Sequence, residues 1–138
     1  MHEILEHSAD EKFRATGDSL EEAFSESVKA FGEIVGSDPE AGEYSHEVEV
    51  ESENSEALLF DFLDRLIFLQ DTESVAVCHA EELSIEEENQ EVHRLEATIS
   101  VDPIDREQSF QDIKAPTYNE MRVDYEDGKW IVEAVLDI

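Results

Sequence analysis

Two stretches of the chain carry apolar residues at the three- and four-residue spacing of amphipathic helices. The first helix is predicted to begin at Asp18 or Ser19, residue types that cap helix N-termini, and to end at Gly36. The second carries a wider apolar face, to which Phe60 and Phe68 both add. We therefore expect the second helix to be the most buried element of the fold.

The rest of the chain alternates apolar and polar residues, the pattern of half-buried β-strands. Strands are predicted at 4–5, 13–15, 44–51, 75–85, 92–101, 121–125 and 130–136. An acidic turn over 86–90 is expected to separate two of them, and a loop is expected through Pro116. Asp127-Gly128 is predicted to close a hairpin between the last two strands.

The order of these elements predicts an α+β fold rather than an alternating α/β one. Helices lie between strands only in the first half of the chain, and the second half holds strands alone. A mainly antiparallel sheet with two amphipathic helices packed on it accommodates that order. At 138 residues, we expect the whole chain, 1–138, to form a single domain.

Acidic residues dominate the composition. The chain has 38 Asp and Glu against nine Lys and Arg, a net charge of −29, and the acids are spread through the apolar patterns rather than gathered in a tail. We interpret this as a folded core under an acidic shell, suited to a high-salt cytoplasm. Nine scattered cations cannot form the broad basic face that strong nucleic-acid binding or attraction to an anionic membrane requires.

The usual motifs of enzymes and of secreted proteins are missing from the sequence. It has no Gly-rich phosphate loop, no nucleophile elbow and no helical histidine pair of the zinc-binding type. Cys78 is alone, which fits a reducing compartment, and its apolar surroundings favour a small buried side chain over a nucleophile. No signal peptide pattern is visible and no apolar run exceeds four residues, so we expect a cytoplasmic protein.

Two places hold polar groups that the strand pattern does not require. One is the loop that ends at Asp10, and the other is the carboxyl end, where Asp137 precedes Ile138. Carboxylates held close together repel each other unless a cation lies between them. If Asp10 meets the chain end, the three carboxylate groups suit Ca²⁺ or Mg²⁺. The alternative is that Asp10 caps a turn and Asp137 is one more surface acid.

In these same regions the chain resembles the archease family. Glu6-His7-Ser8-Ala9-Asp10 is similar to the family's opening Glu-His-Thr-Ala-Asp motif, and 114–119 is similar to its Lys-Ala-x-Thr-Tyr-His segment. Further matching blocks lie at 19–24, 58–63, 66–69, 71–73, 127–130 and 135–138. Three positions depart from the pattern: Ser8 replaces Thr, Pro116 replaces an aliphatic residue, and Asn119 stands where His is frequent.

The resemblance implies a function and a set of site residues. Archeases are protein cofactors, not enzymes, of the RtcB-type RNA ligase of tRNA splicing, whose guanylylation and multiple turnover they promote. The family's calcium site, which Mg²⁺ or Mn²⁺ could also occupy, would here use Asp10, Asp137 and the Ile138 carboxylate. The residues expected to contact the ligase are Glu6, His7, Lys114, Thr117, Tyr118 and Asn119.

Two other functions remain open from the residues. One is a chaperone-like module that binds other proteins, which requires an exposed apolar patch. The other is a metal-dependent hydrolase that uses the Asp10 and Asp137 carboxylates, with His7 as a base.

Overall fold

The computed structural model describes residues 1–5, 10–89, 91–104 and 110–138. Its elements follow the predicted order. They are β1 (His2–Leu5), β2 (Glu11–Gly17), α1 (Leu20–Val35), β3 (Tyr44–Ser52), α2 (Ser55–Glu73), β4 (Val75–Asn89), β5 (Val92–Pro103), β6 (Ala115–Glu126) and β7 (Lys129–Asp137). Neither helix is long and apolar enough to cross a membrane, within the part of the chain that is described.

Local sequence signals begin and end both helices. The Ser19 hydroxyl accepts a hydrogen bond from the Glu22 amide at 3.1 Å, and Gly36 ends α1 with a φ of 102°. Both predicted ends of α1 are thereby confirmed. Helix α2 is capped by the side chain of Asn54 and ends at Ser74, which also adopts the left-handed conformation.

The strands form two antiparallel sheets. One has the order β1-β2-β7-β6 and the other has the order β3-β5-β4. Helix α1 contacts β1, β2 and β7 of the first sheet and β4 of the second, and α2 contacts β6 as well as all three strands of the second. The predicted α+β class is confirmed, and the two helices join the sheets through a common core. The division into two sheets was not predicted from the pattern.

Large apolar side chains from both helices fill the core. Phe24 of α1 and Phe62 of α2 are fully buried, and their ring centroids lie 6.2 Å apart. Phe60 is half-buried, but Phe68 is 57% exposed, so the prediction that Phe68 widens the apolar face was wrong. Phe68 lies one helical turn from Asp64 on the solvent face, where the guanidinium of Arg65 lies over its ring.

Two strands extend further than the pattern predicted. Strand β4 continues to Asn89, so residues 86–88 lie in a strand and not in a turn. Arg94 of β5 stabilises this acidic run, because its guanidinium pairs with Glu88 at 2.6 Å. Strand β6 begins at Ala115, before the expected end of the loop. The Asp127-Gly128 turn is confirmed, with positive φ at both residues.

The second sheet places like charges next to each other. Glu49 of β3 is directly opposite Glu96 of β5, and Glu47 and Glu82 flank Thr98 in the neighbouring row. Like charges directly opposite in a sheet are destabilising. Salt shortens the Debye length from about 10 Å at 0.1 M to about 3 Å at 1 M, which weakens this repulsion.

We expect the chain to be more stable in 2 M KCl than in 0.1 M KCl by at least about 1 kcal/mol, or roughly 3–5 °C in melting temperature at this size. Thermal unfolding followed by circular dichroism measures it. Glu96→Gln removes the carboxylate opposite Glu49 and should reduce the salt dependence, whereas Glu51→Gln, at a carboxylate paired with Arg94, should not. Equal melting temperatures at the two salt concentrations would contradict this interpretation.

Candidate functional site

The register between β2 and β7 brings the two predicted aspartates to the same end of one sheet. The last pair of that ladder is Glu11 with Leu136. Asp10 immediately precedes Glu11 and Asp137 immediately follows Leu136, so the two aspartates are the next residues in register. Continued pairing would bring their Cα atoms to about 5 Å, with both side chains on the same face of the sheet.

Strand β6 adds Lys114 to this end of the sheet. Ala115 pairs with Asp137, and the Lys114 amide donates a hydrogen bond to the Asp137 carbonyl at 2.8 Å. The Lys114 side chain is exposed. Ile138 is half-buried and packs against the core, which holds the last residue close to the sheet. Three segments that are distant in the sequence therefore meet around Asp137.

Thr117 lies two residues further along β6, opposite Val135 of β7. Thr117 is therefore on the same face of the four-stranded sheet as Asp137. This face also carries Lys12, Arg14 and Glu133, and we call it the outward face. The Thr117 hydroxyl oxygen is buried and has no hydrogen-bond partner among the described residues. A buried hydroxyl without a partner is costly in a purely structural role.

The residues that follow Thr117 leave the ladder. Four residues of β6, 118–121, face the single β7 residue Ala134 before pairing resumes at Arg122. Tyr118 and Asn119, both predicted contact residues, are exposed in this bulge. The other two predicted contact residues, Glu6 and His7, lie outside the described residues.

The two aspartates predicted as metal ligands carry the hard oxygen atoms that Ca²⁺ and Mg²⁺ take. Asp137 is exposed and Asp10 is half-buried. Among the described side chains, no group of three His, Cys, Asp or Glu is arranged to hold a metal ion. A site at this position therefore needs a third oxygen, for which the predicted ligand is the Ile138 carboxylate. Three carboxylate groups are the ligand chemistry that Ca²⁺ and Mg²⁺ prefer.

Sequence reasoning missed a charged cluster on the outward face. Glu133 of β7 is only 6% exposed, and Arg14 donates to it at 2.7 Å. Lys12 and Arg122 also approach Glu133, at 3.7 and 3.6 Å. The hydrogen bond to Glu133 raises the pKa of Arg14. One feature of the sequence could have predicted this cluster. Two of the nine cationic residues, Lys12 and Arg14, alternate with the apolar residues of β2.

Cys78 plays no part in this site. Its side chain is buried in β4, and its thiol lies 3.7 Å from the Asp102 carboxylate. Burial, together with that carboxylate, raises the pKa of the Cys78 thiol to about 11. Because the thiolate is the reactive form, the thiol is inert near neutral pH, as the sequence interpretation expected.

Comparisons with known proteins agree over nearly the whole chain. The model of the Archease protein family (MTH1598/TM1083) matches residues 2–138. The archease of Pyrococcus abyssi is 36% identical, with 99% of this chain and 97% of that protein covered. The archease of Methanopyrus kandleri is 33% identical, with 99% and 98% covered.

Solved structures show the same fold. The solution structure of Methanobacterium thermoautotrophicum protein 1598 superimposes with a TM-score of 0.82 at 27% identity, covering 99% of this chain and 98% of that one. An archease from Thermotoga maritima, described as a possible chaperone, gives a TM-score of 0.58 at 22% identity, covering 100% and 98%, and shows the fold alone. The family model, the sequence relatives and the shared fold agree, and the chain belongs to the archease family.

Proposed function

We propose that this chain activates an RtcB-type RNA ligase in tRNA splicing. In this role it promotes guanylylation of the ligase and allows multiple turnover, and it carries out no covalent chemistry itself. Membership of the archease family supports the proposal. So do the matches to the family's Lys-Ala-x-Thr-Tyr-His segment and to its carboxyl end, which lie side by side in the fold.

The observation that carries the proposal is the convergence at the end of the four-stranded sheet. The β2–β7 ladder ends at Glu11 and Leu136, the neighbours of Asp10 and Asp137, and the Lys114 amide donates a hydrogen bond to the Asp137 carbonyl. Three groups that the family resemblance singles out thus belong to strand ends that are neighbours in the fold, which supports a contact surface at this point.

We propose that Asp10, Asp137 and the Ile138 carboxylate hold Ca²⁺, with Mg²⁺ or Mn²⁺ as the alternatives. A bound divalent ion would offset the mutual repulsion of the carboxylates and offer open positions to oxygen ligands of the partner. The chain's own residues do the positioning. The register brings together the strand ends next to the two aspartates, and the Ile138 side chain packs against the core.

The net charge of −29 favours a partner protein with a basic surface. An RNA backbone would be repelled, whereas the cleft of an enzyme that binds RNA and GTP is basic. Complementary charge speeds and orients such an encounter. In a high-salt cytoplasm this steering is screened, so shape and metal coordination carry more of the specificity.

Purified chain added to an RtcB-type ligase with GTP, a divalent metal and tRNA halves tests the proposal. We expect more than one joined tRNA per ligase molecule, and faster formation of the guanylylated ligase. Product that stays at one per ligase, with or without the chain, would overturn the proposal.

Two further arms of this experiment address the alternatives. Metal-dependent cleavage of phosphoesters by the chain without any ligase would favour the hydrolase. Suppressed aggregation of unrelated unfolded proteins would favour the chaperone-like module, the activity suggested for the Thermotoga maritima relative.

A further inference from the structure

The bulge in β6 directs one aromatic side chain across the surface onto α2. The ring of Tyr118 stacks on that of Phe60, with centroids 4.2 Å apart and an angle of 3° between the planes. Tyr118 is nevertheless 58% exposed. One face of its ring therefore lies against Phe60 and the other faces solvent. We call this pair the aromatic platform.

The backbone of β6 is irregular at the aromatic platform. Thr117 pairs with Val135, and the next pair of the ladder is Arg122 with Glu133. Between these two pairs, β6 has three residues more than β7. In this segment, Glu120 adopts a left-handed conformation with a φ of 59°. Bulges re-aim side chains, and strain of this kind in a non-glycine residue often marks a functional segment. Burial of Tyr118 does not explain the bulge, because more than half of the side chain stays exposed.

One carboxylate belongs to the immediate surroundings of the platform. Asp61 follows Phe60 on α2, and its carboxylate accepts a hydrogen bond from the Ser52 hydroxyl at 2.5 Å. Tyr118 stacks on the residue that directly precedes Asp61, and burial together with the charge of Asp61 raises the pKa of the Tyr118 phenol. Glu120, two residues from Tyr118 in the bulge, is paired instead with the Lys12 ammonium group at 3.5 Å. An aromatic face beside a carboxylate attracts a cation and repels a phosphate.

Among cations, a guanidinium suits this geometry best. It is planar, so it can lie flat on the open ring, and its N–H groups can reach a carboxylate at the edge of that ring. The chain makes a related contact within α2, where the Arg65 guanidinium lies 5.7 Å from the Phe68 ring centroid. A lysine ammonium ion matches the charge but not the planar contact.

We propose that the aromatic platform is a docking point for an arginine side chain of the partner protein, stacked on the open face of Tyr118 and paired with Asp61. The proposal rests on the proposed function in one respect, because it takes the ligase as the protein that supplies the arginine. The position supports this choice, since Tyr118 lies on the edge strand β6 between Thr117 and Asn119, two residues that are expected to contact the ligase.

The first test is binding of the full chain to the ligase, measured by calorimetry. Tyr118→Ala should weaken the dissociation constant at least about tenfold, as loss of a central aromatic contact does. Tyr118→Phe should retain wild-type affinity because the ring remains. Tyr125→Ala is the matched control, since Tyr125 is 59% exposed but lies at the β6–β7 hairpin. Unchanged affinity in Tyr118→Ala, with a wild-type circular dichroism spectrum, would overturn the proposal.

The second test needs no ligase. N-acetyl-arginine amide is titrated into the full chain while the aromatic ring signals are followed by NMR, with N-acetyl-lysine amide as the comparison. We expect the arginine compound to shift the Tyr118 and Phe60 signals more than the lysine compound does, and Asp61→Asn to reduce that shift. Equal shifts, or none, would overturn the proposal. A chain that passes this test but does not bind the ligase would refute the proposed function instead.

Discussion

Asp137→Asn is expected to abolish the stimulation of multiple-turnover ligation and to weaken Ca²⁺ binding at least about tenfold. Asp137 is the last residue of β7, with its side chain exposed on the outward face. Asparagine keeps the size of the side chain but removes the charge that a divalent ion requires. The fold should be retained, because the Asp137 main chain supplies the hydrogen bond to Lys114 in either case.

Calcium affinity is measured by calorimetry on the chain alone, and stimulation by counting joined tRNA per ligase. Asp127→Asn is the matched control, because Asp127 is also exposed but lies in the hairpin turn at the opposite end of β7. Asparagine tolerates the left-handed conformation of that position, so this variant should bind metal and stimulate normally. Full stimulation by Asp137→Asn would remove this end of the sheet from the mechanism.

The contribution of the terminal carboxylate can be separated from that of Asp137. Deletion of Ile138 would also remove an apolar side chain that packs against the core. One glycine added after Ile138 displaces the carboxylate and leaves that side chain in place. We expect this extended chain to show weakened calcium binding with an unchanged melting temperature.

Phe62→Ala is expected to lower the free energy of unfolding by about 3–5 kcal/mol. Phe62 is fully buried and stacks on Phe24, in a core that α2 shares with strands of both sheets. Its truncation removes apolar contact and leaves a cavity that neighbours from two sheets cannot easily close. A domain of this size is stable by only about 5–15 kcal/mol, so the variant should be close to unfolding in dilute salt.

Phe68→Ala provides the comparison on the same helix. Phe68 is 57% exposed and its main described contact is with Arg65, so this variant should lose less than about 1 kcal/mol. Urea unfolding of both variants in 2 M KCl measures the difference. A similar decrease in the free energy of unfolding in the two variants would contradict the assignment of Phe62, and not Phe68, to the core.

Much of the local structure followed from the order of residues. The spacing of apolar residues identified both helices, because a helix presents one face every 3.6 residues whatever it packs against. Ser19, Gly36 and Asp127-Gly128 marked an element end or a turn through chemistry within a few residues. The alternation of apolar and polar residues identified the strands. The spread of acidic residues through these patterns indicated a folded protein with a charged surface.

The periodicity could not distinguish Phe62 from Phe68, because both fit a wide apolar face and only the packing of α2 shows which of them is covered. Nor could it show that Glu133 is buried. A glutamate on the outward side of a strand is normally solvated, and here cations from β2 and β6 enclose it.

The candidate site depended most on long-range pairing. Motif resemblance singled out Asp10, Lys114 and Asp137, but only the β2–β7–β6 register shows that the strand ends next to them are neighbours. The bulge that stacks Tyr118 on Phe60 also had no local signature. Alternation along a strand tells which side a residue faces, whereas the neighbour of that strand is chosen by how all the elements bury their apolar surfaces together.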